Sequence, residues 1–206
     1  MRNNLLKQLT MALLLTVVMP CAKAQMAHIG DILCEGDLIV SPANYNANTH
    51  TAIGVVFYVD NTGQHGWAVA LQDAGECVWG PQRETPLPNF TNERQAINDL
   101  DGYQNTQIIC AYSNSFSAFN IVDFENGWYL PAIGQLNYLY GNLLDVNAGI
   151  TIAGGTVFLG LNMDGMYWSS TEYSSDFAWI LEYNGALDYY VYRSGFNRRV
   201  RAVRNF

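Results

Sequence analysis

Residues 167–172 read Tyr-Trp-Ser-Ser-Thr-Glu, and residues 199–204 read Arg-Val-Arg-Ala-Val-Arg; these two stretches bound the part of the chain that decides the fold. Between them, residues 178–183 and 187–193 are rich in aromatic and β-branched side chains and flank the turn sequence Asn-Gly-Ala at 184–186. Such a pattern predicts two antiparallel strands joined by a turn. We therefore expect the chain to end in a sheet that displays a surface.

Working outward from this segment, the rest of the chain alternates strand and helix signals. Two short strands are predicted within residues 29–40, on either side of the turn at 35–37, and a hairpin is predicted from strands 52–59 and 66–71. Apolar residues spaced three or four apart predict three helices, at 92–100 with Thr91 as the cap, at 105–119 and at 132–144. Loops are expected at 73–89 and, with one short strand as the alternative, at 147–165.

The N-terminus has the pattern of a secretory signal peptide. Arg2 and Lys7 precede an apolar stretch at residues 9–18, and Ala-Lys-Ala at 22–24 fits a cleavage site. Lipidation at Cys21 is the alternative, and Pro20 fits it poorly. We expect residues 1–24 to be removed and residues 25–206 to form one exported domain, with 25–51 as an N-terminal extension. The sequence leaves open whether the product stays in the periplasm or reaches the cell surface.

The charge balance is acidic, which disfavours nucleic acid as a partner. The chain has 10 basic and 18 acidic residues. Loss of residues 1–24 removes Arg2, Lys7 and Lys23, so seven arginines remain against 18 carboxylates and the net charge moves from -8 to -11. Five of the seven arginines lie in residues 193–204. They are expected to pair with carboxylates, with a local anion site as the alternative.

No catalytic or cofactor motif is found in the sequence, so we expect a protein that is not an enzyme. The spacing of Cys34, Cys77 and Cys110 matches no zinc or redox motif, and the three are expected to be buried thiols, with one disulfide possible after export. An enzyme would need a carboxylate pair such as Glu172 and Glu182 acting on a sugar.

A calcium site is an alternative that depends on the fold bringing four acidic residues together. They lie at the ends of predicted helices: Asp99, Asp101, Asp123 and Glu125. None has the alternating spacing of a calcium loop, so no metal site is predicted and these side chains are expected to be solvated.

Four motifs in order resemble a known family. They are Gly-Trp-x-Leu-Pro at 127–131, Tyr-Trp-Ser-Ser-Thr-Glu at 167–172, Ala-Trp at 178–179 and Arg-Val-Arg-Ala-Val-Arg at 199–204. Together they are similar to the C-terminal domain family first named for bacterial collagen-like adhesins. The resemblance implies an α+β, C-type-lectin-like fold: a mixed antiparallel sheet with two or three helices and long loops. The calcium-binding tripeptides and the Trp-Asn-Asp motif of sugar-binding C-type lectins are absent from the sequence.

A second resemblance concerns residues 174–198. This segment is similar to the variable region of proteins diversified by retroelements in gut bacteria and their phages, in which mutagenised asparagine codons lie between fixed anchors. Randomised adenines in such codons never give Lys, Glu, Gln, Met or Trp, and residues 183–198 contain none of the five. An ordinary exposed sheet is the alternative. A neighbouring reverse-transcriptase gene and a near-copy of these codons would identify the diversified case.

The function predicted from the sequence is an adhesin-like or receptor-like module that binds a glycan or a surface protein. The side chains expected to form its binding surface lie in the terminal segment: Asp176, Phe177, Ile180, Asp188, Tyr189, Tyr190, Tyr192, Arg193, Phe196 and Arg198. Tyrosine and arginine combine large contact areas with hydrogen bonds, which is why they dominate many interfaces. The alternative is a structural subunit of a surface assembly, with the terminal strand as a docking edge.

Overall fold

The computed structural model describes residues 26–158 and 165–206. The predicted signal segment lies outside the described residues. Ten strands are present there: β1 Ile32–Cys34, β2 Leu38–Val40, β3 Ala52–Val59, β4 Gly66–Ala70, β5 Gly75–Cys77, β6 Tyr167–Glu172, β7 Phe177–Leu181, β8 Leu187–Tyr192, β9 Arg198–Val200 and β10 Val203–Asn205. The α-helices are α1 Glu93–Ala96, α2 Gly102–Tyr112, α3 Ser117–Asn120, α4 Ile133–Gly141 and α5 Leu143–Ile152.

The first sheet has the strand order β10-β4-β3-β1-β2. All its pairings are antiparallel, and the predicted hairpin of residues 52–59 and 66–71 forms its centre as β3 and β4. A β-bulge interrupts the β3–β4 register between Val56 and Tyr58. Residues 25–51 were expected to be an extension of the domain. From Ile32 to Val40 they supply two strands of this sheet, β1 and β2.

The second sheet has the strand order β5-β9-β6-β7-β8. The predicted terminal hairpin is confirmed as β7 and β8, which pair antiparallel from Phe177 opposite Tyr192 to Leu181 opposite Leu187. Strand β9 lies parallel to β6, with Arg199 opposite Tyr167. The last two strands, β9 and β10, therefore belong to different sheets, although only Arg201 and Ala202 separate them.

Two large clusters of buried apolar side chains fill the space between the sheets and helices. The α+β class is confirmed. The strands are shared between two sheets rather than one, and three helices exceed two turns.

The helix boundaries differ from the sequence prediction in four places, the first being that the helix predicted at 132–144 ends at Gly141 and its last two residues belong to α5. The segment 92–100 forms a single helical turn, α1, which is capped by Asn92 rather than Thr91, because the Asn92 carboxamide oxygen accepts a hydrogen bond from the Gln95 backbone N–H at 3.0 Å. The segment 105–119 is divided into α2 and α3 at the Ser-Asn-Ser sequence of residues 113–115. The prediction of a loop or strand at 147–165 is wrong up to Ile152, because this stretch continues the helix α5.

None of the helices in residues 26–158 and 165–206 is long and apolar enough to cross a membrane.

Candidate functional site

The motif at residues 167–172 is a buried scaffold. All six residues of β6 are buried, including Ser169, Ser170, Thr171 and Glu172. The Thr171 hydroxyl donates to Asp99 Oδ2 at 2.7 Å and accepts from the backbone N–H of Ile133 at 2.9 Å, at the start of α4. A hydroxyl that both donates and accepts in the interior ties the sheet to the helix without leaving a polar group unpaired.

Asp99 is the acceptor at the centre of this network. Besides Thr171, its carboxylate accepts from the Asn105 amide at 3.0 Å and from the Asp101 backbone N–H at 3.2 Å. The prediction that Asp99 is a solvated helix end is wrong, since its side chain is buried. Within the described ranges, no three His, Cys, Asp or Glu side chains are grouped as metal ligands.

Three buried tryptophans fix the second sheet through their indole N–H groups. Trp79 donates to the Ser169 carbonyl at 2.7 Å, Trp168 to the Cys77 carbonyl at 2.8 Å, and Trp179 to the Phe90 carbonyl at 2.8 Å. Each of these side chains has no solvent exposure. Trp168 and Trp179 are therefore part of the scaffold, whereas Trp128 is only half-buried.

Arg193 forms a buried ion pair with Glu172. Arg193 Nη1 lies 3.2 Å from Glu172 Oε1, and both side chains are completely buried. Its other hydrogen bonds go to backbone carbonyls: Nε to Pro81 at 2.7 Å, Nη1 to Ser174 at 3.1 Å and Nη2 to Glu84 at 2.7 Å. The guanidinium therefore holds the loop at residues 81–84 against the end of β6.

The guanidinium of Arg193 also stacks on aromatic rings. Its carbon lies 4.5 Å from the centre of the Trp79 ring and 5.7 Å from that of Phe116. Burial raises the pKa of Glu172 from 4.5 to about 7, and the neighbouring charge of Arg193 opposes this shift. One carboxylate oxygen, Glu172 Oε2, has no hydrogen-bond partner among the described residues.

The raised pKa of Glu172 predicts a pH-dependent stability. Because the folded protein keeps this proton up to about pH 7 while the unfolded chain loses it near pH 4.5, the stabilisation is complete at acidic pH and is lost as the pH rises through 7. We expect the free energy of unfolding of wild type, relative to Glu172→Gln, to fall by up to about 3 kcal/mol between roughly pH 4 and pH 8. Urea titrations followed by tryptophan fluorescence measure this difference.

The control for this experiment is Glu182→Gln, which changes a half-buried carboxylate at the other end of the β6–β7 pair. Its curve gives the reference for removing one carboxylate from the same pair of strands, and the predicted fall is read from Glu172→Gln against it. A difference between wild type and Glu172→Gln that stays constant with pH contradicts the assignment of a raised pKa to Glu172.

The remaining C-terminal arginines mostly pair with carboxylates, as predicted. Arg201 is buried, and its guanidinium donates to Asp73 and to the carbonyls of Ala70 and Thr156. Arg199 lies 3.8 Å from Asp73 and 3.4 Å from Glu76. Arg204 donates to Asp37 at 2.8 Å. With Arg193, four of the five arginines in residues 193–204 are thus paired, and a local anion site is not formed by them.

Two of the residues predicted to form the binding surface are not on the surface. Ile180 and Arg193 have no solvent exposure. Ile180 lies in β7, which pairs with β6 along one edge and with β8 along the other. Its side chain packs into the core. Arg193 follows β8 on the same side as the buried Val191, as strand alternation requires. Their assignment to a ligand-accessible surface is wrong.

Part of the predicted surface is accessible and lies together. Phe177 and Tyr192 are paired across β7 and β8 with ring centres 4.5 Å apart, and Tyr173 contacts Phe177 at 6.4 Å. Tyr192 is 48 % exposed. We call these three residues the β7–β8 aromatic surface. The half-buried Asp176 borders it, since its backbone carbonyl accepts from the Arg193 N–H at 3.1 Å.

Phe196 and Arg198 form a separate pair on the loop that leads to β9. The Arg198 guanidinium lies 5.1 Å from the centre of the Phe196 ring, and Phe196 is 50 % exposed. Asp188 is half-buried in β8 opposite Ile180. The backbones of Tyr189 and Tyr190 belong to β8, but their side chains lie outside the described part of the structure.

The carboxylates considered for glycoside hydrolysis do not converge. Glu172 is opposite Ala178 at one end of the β6–β7 pair, and Glu182 follows Leu181, which is opposite Tyr167 at the other end. Four residues of strand separate them by about 13 Å, whereas hydrolases hold their two carboxyl groups roughly 5 to 10 Å apart. Glu172 is also enclosed and paired with Arg193, so a substrate has no access to it.

The cysteines of the described residues, Cys34, Cys77 and Cys110, are free thiols. Cys34 is buried, as expected, whereas Cys77 is half-buried and Cys110 is exposed. Burial raises the pKa of the Cys77 thiol to about 11 and also raises the pKa of Cys34 and Cys110. A raised pKa keeps a thiol protonated, which lowers its reactivity as a nucleophile.

Sequence reasoning missed one aromatic cluster at the first sheet, in which Tyr58 and Trp67 are half-buried and Tyr138 is exposed. Tyr58 and Trp67 stack with ring centres 4.3 Å apart, and Tyr138 of α4 contacts both. Tyr58 and Trp67 flank the turn of the predicted hairpin, so their proximity was visible in the sequence, but the contribution of α4 was not.

Comparison with known proteins gives a likeness of fold. No family model matches the chain, and no curated protein sequence matches it. The chain is similar to the crystal structure of a fimbrial protein from Bacteroides ovatus ATCC 8483, with a TM-score of 0.64 and 18 % sequence identity. The similarity covers 87 % of this chain and 49 % of the fimbrial protein. This chain therefore spans about half the length of that protein.

Proposed function

We propose that this chain is an exported, non-catalytic subunit of a surface assembly. The observation that carries the proposal is the likeness in fold to a fimbrial protein, which extends over 87 % of the chain. The signal-like N-terminus supports export to the periplasm or cell surface. We also propose that the fold is C-type-lectin-like, as the four sequence motifs imply. Three of those motifs include side chains that join the sheets and helices, such as Thr171, Trp179 and Arg201.

The geometry of the acidic and thiol groups supports a role without catalysis. The separation of Glu172 from Glu182 removes the carboxylate pair that the enzyme interpretation requires. The raised pKa of Cys77, together with those of Cys34 and Cys110, disfavours a thiolate nucleophile.

The edge strand β2 offers a contact for assembly. Strand β2 is the last strand of the first sheet, and Leu38 at its start is 49 % exposed. An edge strand presents backbone N–H and C=O groups that a strand of another chain can pair with. The terminal strand β10 is the opposite edge, but the backbone of Tyr129 already bonds to Val203 on its outer side, at 2.8 and 3.0 Å. We therefore assign the docking edge to β2 rather than to β10.

A Leu38→Lys variant tests this proposal. A charged side chain at an edge strand opposes pairing with another strand, so we expect the variant to remain folded but to be absent from the assembled material. The experiment expresses the tagged full chain with its own N-terminus in a Bacteroides host and shears the cells. The tag is then detected in the high-molecular-weight surface fraction, with expected depletion of the variant by at least about tenfold relative to wild type.

Leu144→Lys is the matched control, because Leu144 is 86 % exposed and lies on α5, away from the strand edges. It is expected to assemble as wild type does. Wild-type protein that stays out of the high-molecular-weight fraction contradicts the assembly role. Equal incorporation of both variants contradicts the assignment to β2.

The second candidate function is ligand binding through the β7–β8 aromatic surface. It is favoured by the pair of the exposed Tyr192 and the half-buried Phe177, because accessible aromatic side chains that lie beside one another are frequent in binding surfaces. If residues 174–198 are a diversified segment, they support this second function. A neighbouring reverse-transcriptase gene and a near-copy of these codons would show the diversification. The glycan and surface-protein array described below includes a Tyr192→Ala variant for this purpose.

A further inference from the structure

A groove beside the hairpin of β3 and β4 combines aromatic and polar side chains. Its volume is about 330 Å³, and it is lined by Tyr58, Asp60, His65, Gly66, Trp67, Asn205 and Phe206. We call it the Trp67 groove. The volume lies at the lower end of the range for small-molecule sites, which is enough for one or two sugar rings.

The aromatic wall of the groove depends on the β-bulge in β3. The bulge between Val56 and Tyr58 sets Tyr58 opposite Trp67 in the register, and Tyr58 stacks on the Trp67 ring with the ring centres 4.3 Å apart. Tyr138 from α4 meets the two rings edge-on, at 5.2 Å from Tyr58 and 5.9 Å from Trp67. Bulges re-aim side chains in this way at many binding sites. The result is an aromatic surface that continues from the lining residues Tyr58 and Trp67 to Tyr138, which lies next to the groove rather than in its lining and is 43 % exposed.

The polar tips of these three rings are unpaired. The buried tryptophans Trp79, Trp168 and Trp179 each donate to a backbone carbonyl. The indole N–H of Trp67 has no such acceptor within residues 26–158 and 165–206, nor do the hydroxyls of Tyr58 and Tyr138 have a partner there. Unpaired polar tips next to an exposed aromatic surface remain available for a ligand.

Two further polar groups of the groove are fixed in place by the protein. One oxygen of the Asp60 carboxylate accepts from the Thr62 hydroxyl at 2.6 Å and from the backbone N–H groups of Thr62 and Gly63 at 3.0 Å. A carboxylate has about four acceptor positions, so at least one is left. Asn205 is held by a chain of two bonds, in which Gln135 donates to the Tyr129 hydroxyl at 3.1 Å and that hydroxyl donates to Asn205 Oδ1 at 2.7 Å. The Asn205 NH₂ group is then left to donate.

We propose that the Trp67 groove binds a neutral carbohydrate, with a sugar ring packed against the aromatic surface and its hydroxyls bonded to Asp60 and Asn205. A sugar ring has C–H faces that pack on aromatic rings, and hydroxyls that both donate and accept. It therefore satisfies an acceptor and a donor at the edge of an aromatic surface.

Other ligand classes fit the groove less well. An anionic ligand would be repelled by the carboxylate of Asp60, and the lining contains no lysine or arginine to offset this repulsion. An apolar ligand leaves Asp60 and Asn205 without partners. A quaternary ammonium needs rings arranged around it, whereas Tyr58 and Trp67 stack on each other.

The test is an array of neutral oligosaccharides built from glucose, mannose, galactose, xylose and N-acetylhexosamines, with surface proteins and choline included as other ligand classes. Hits are then titrated by tryptophan fluorescence with the full mature chain. We expect binding to at least one neutral oligosaccharide and a loss of affinity of about tenfold or more in Tyr138→Ala. Trp67→Phe is expected to abolish most of the fluorescence change while weakening binding less, since it keeps an aromatic ring. Asn205→Ala, which keeps the aromatic wall, is expected to weaken binding as well.

Tyr112→Ala is the matched control, because Tyr112 is 56 % exposed on α2 and belongs neither to the Trp67 groove nor to the β7–β8 aromatic surface. It is expected to retain the affinity of wild type. Thermal melting confirms that each variant is folded, and Tyr138→Ala is decisive because its side chain is the most exposed of the three rings.

The proposal is overturned by any of three results: no oligosaccharide binds, choline binds instead, or folded Tyr138→Ala binds as wild type does. A hit that is lost in Tyr192→Ala and kept in Tyr138→Ala also overturns it and supports the β7–β8 aromatic surface instead. The inference does not rest on the assembly role, which is tested separately through Leu38.

Discussion

Arg193→Ala is expected to lower the free energy of unfolding by about 3 to 5 kcal/mol, the largest effect of any arginine substitution in this chain. The substitution leaves the Glu172 carboxyl buried without a positive partner. It also removes the donors that serve the carbonyls of Pro81, Glu84 and Ser174. An unpaired buried polar group costs its full desolvation energy, so several such groups at one point are strongly destabilising. Chemical denaturation followed by tryptophan fluorescence measures the loss.

Two further variants show whether the effect comes from the buried contacts. Arg204→Ala removes an arginine whose partner Asp37 is 64 % exposed, and it is expected to cost less than about 1 kcal/mol. Arg193→Lys keeps the charge but cannot reproduce the fork of donors, so it is expected to recover only part of the stability. If Arg193→Ala costs no more than Arg204→Ala, the buried pair does not hold the loop as described.

Asp99→Ala is expected to cost about 3 kcal/mol or more, because three donors lose a shared acceptor in the interior. The donors are the Thr171 hydroxyl, the Asn105 amide and the backbone N–H of Asp101. The Thr171 hydroxyl also accepts from Ile133 at the start of α4, so the loss extends to the contact between the second sheet and this helix. Denaturation curves measured under the same conditions as for Arg193 give the comparison.

Asp101→Ala provides the control for Asp99→Ala. Asp101 is only two residues from Asp99, but its side chain is exposed. A change within about 0.5 kcal/mol of wild type is expected there. Equal losses in the two variants would mean that the Asp99 carboxylate has no special role in the interior. Hydrogen exchange at the amide of Ile133 adds a local readout: it is expected to quicken in Asp99→Ala and not in Asp101→Ala.

Much of the strand pattern was predictable, because hairpins are local. The turn at residues 184–186 and the alternation of apolar residues on each side specify β7 and β8 without knowledge of the rest of the fold. The short hydroxyl side chains of residues 169–171, next to a tryptophan, are likewise typical of a scaffold, and in the structure Ser169 and Thr171 bond to the backbone of Trp179 and Ile133. What the sequence does not specify is pairing over long distances, such as β10 with β4 or β9 with β5.

The helix α5 shows how a glycine can lead to a wrong prediction of secondary structure. Gly149 and the β-branched residues after it suggested a loop or a strand, and local propensity alone supports that prediction. In the structure, a side chain at Gly149 would come within 2.5 Å of the Gly30 carbonyl oxygen, so this glycine permits the close approach of the helix to the N-terminal segment. The helix is stabilised by packing of Val146 and Ile150, which propensity does not measure.

The candidate site was less predictable than the fold, because aromatic and arginine side chains serve both cores and surfaces. Strand alternation placed Val191 and Arg193 on one face, and a buried valine on that face was a signal that Arg193 faces inward too. Its partner Glu172 lies 21 residues away, and no local pattern identifies it. The contact between Tyr58 and Trp67 depends on a register shift in β3, which a single sequence does not predict.

The placement of the last two strands has a consequence for the order in which the protein folds. Strand β10 pairs with β4, and β9 pairs with β5 and β6. Neither sheet is therefore complete without residues 198–205. A growing chain, or one that is crossing a membrane from its N-terminus, therefore has neither sheet complete until residues 198–205 have emerged. Contacts between distant segments form late and slowly. Loss of the last nine residues would remove a strand from each sheet at once, and so would damage the two halves of the core together.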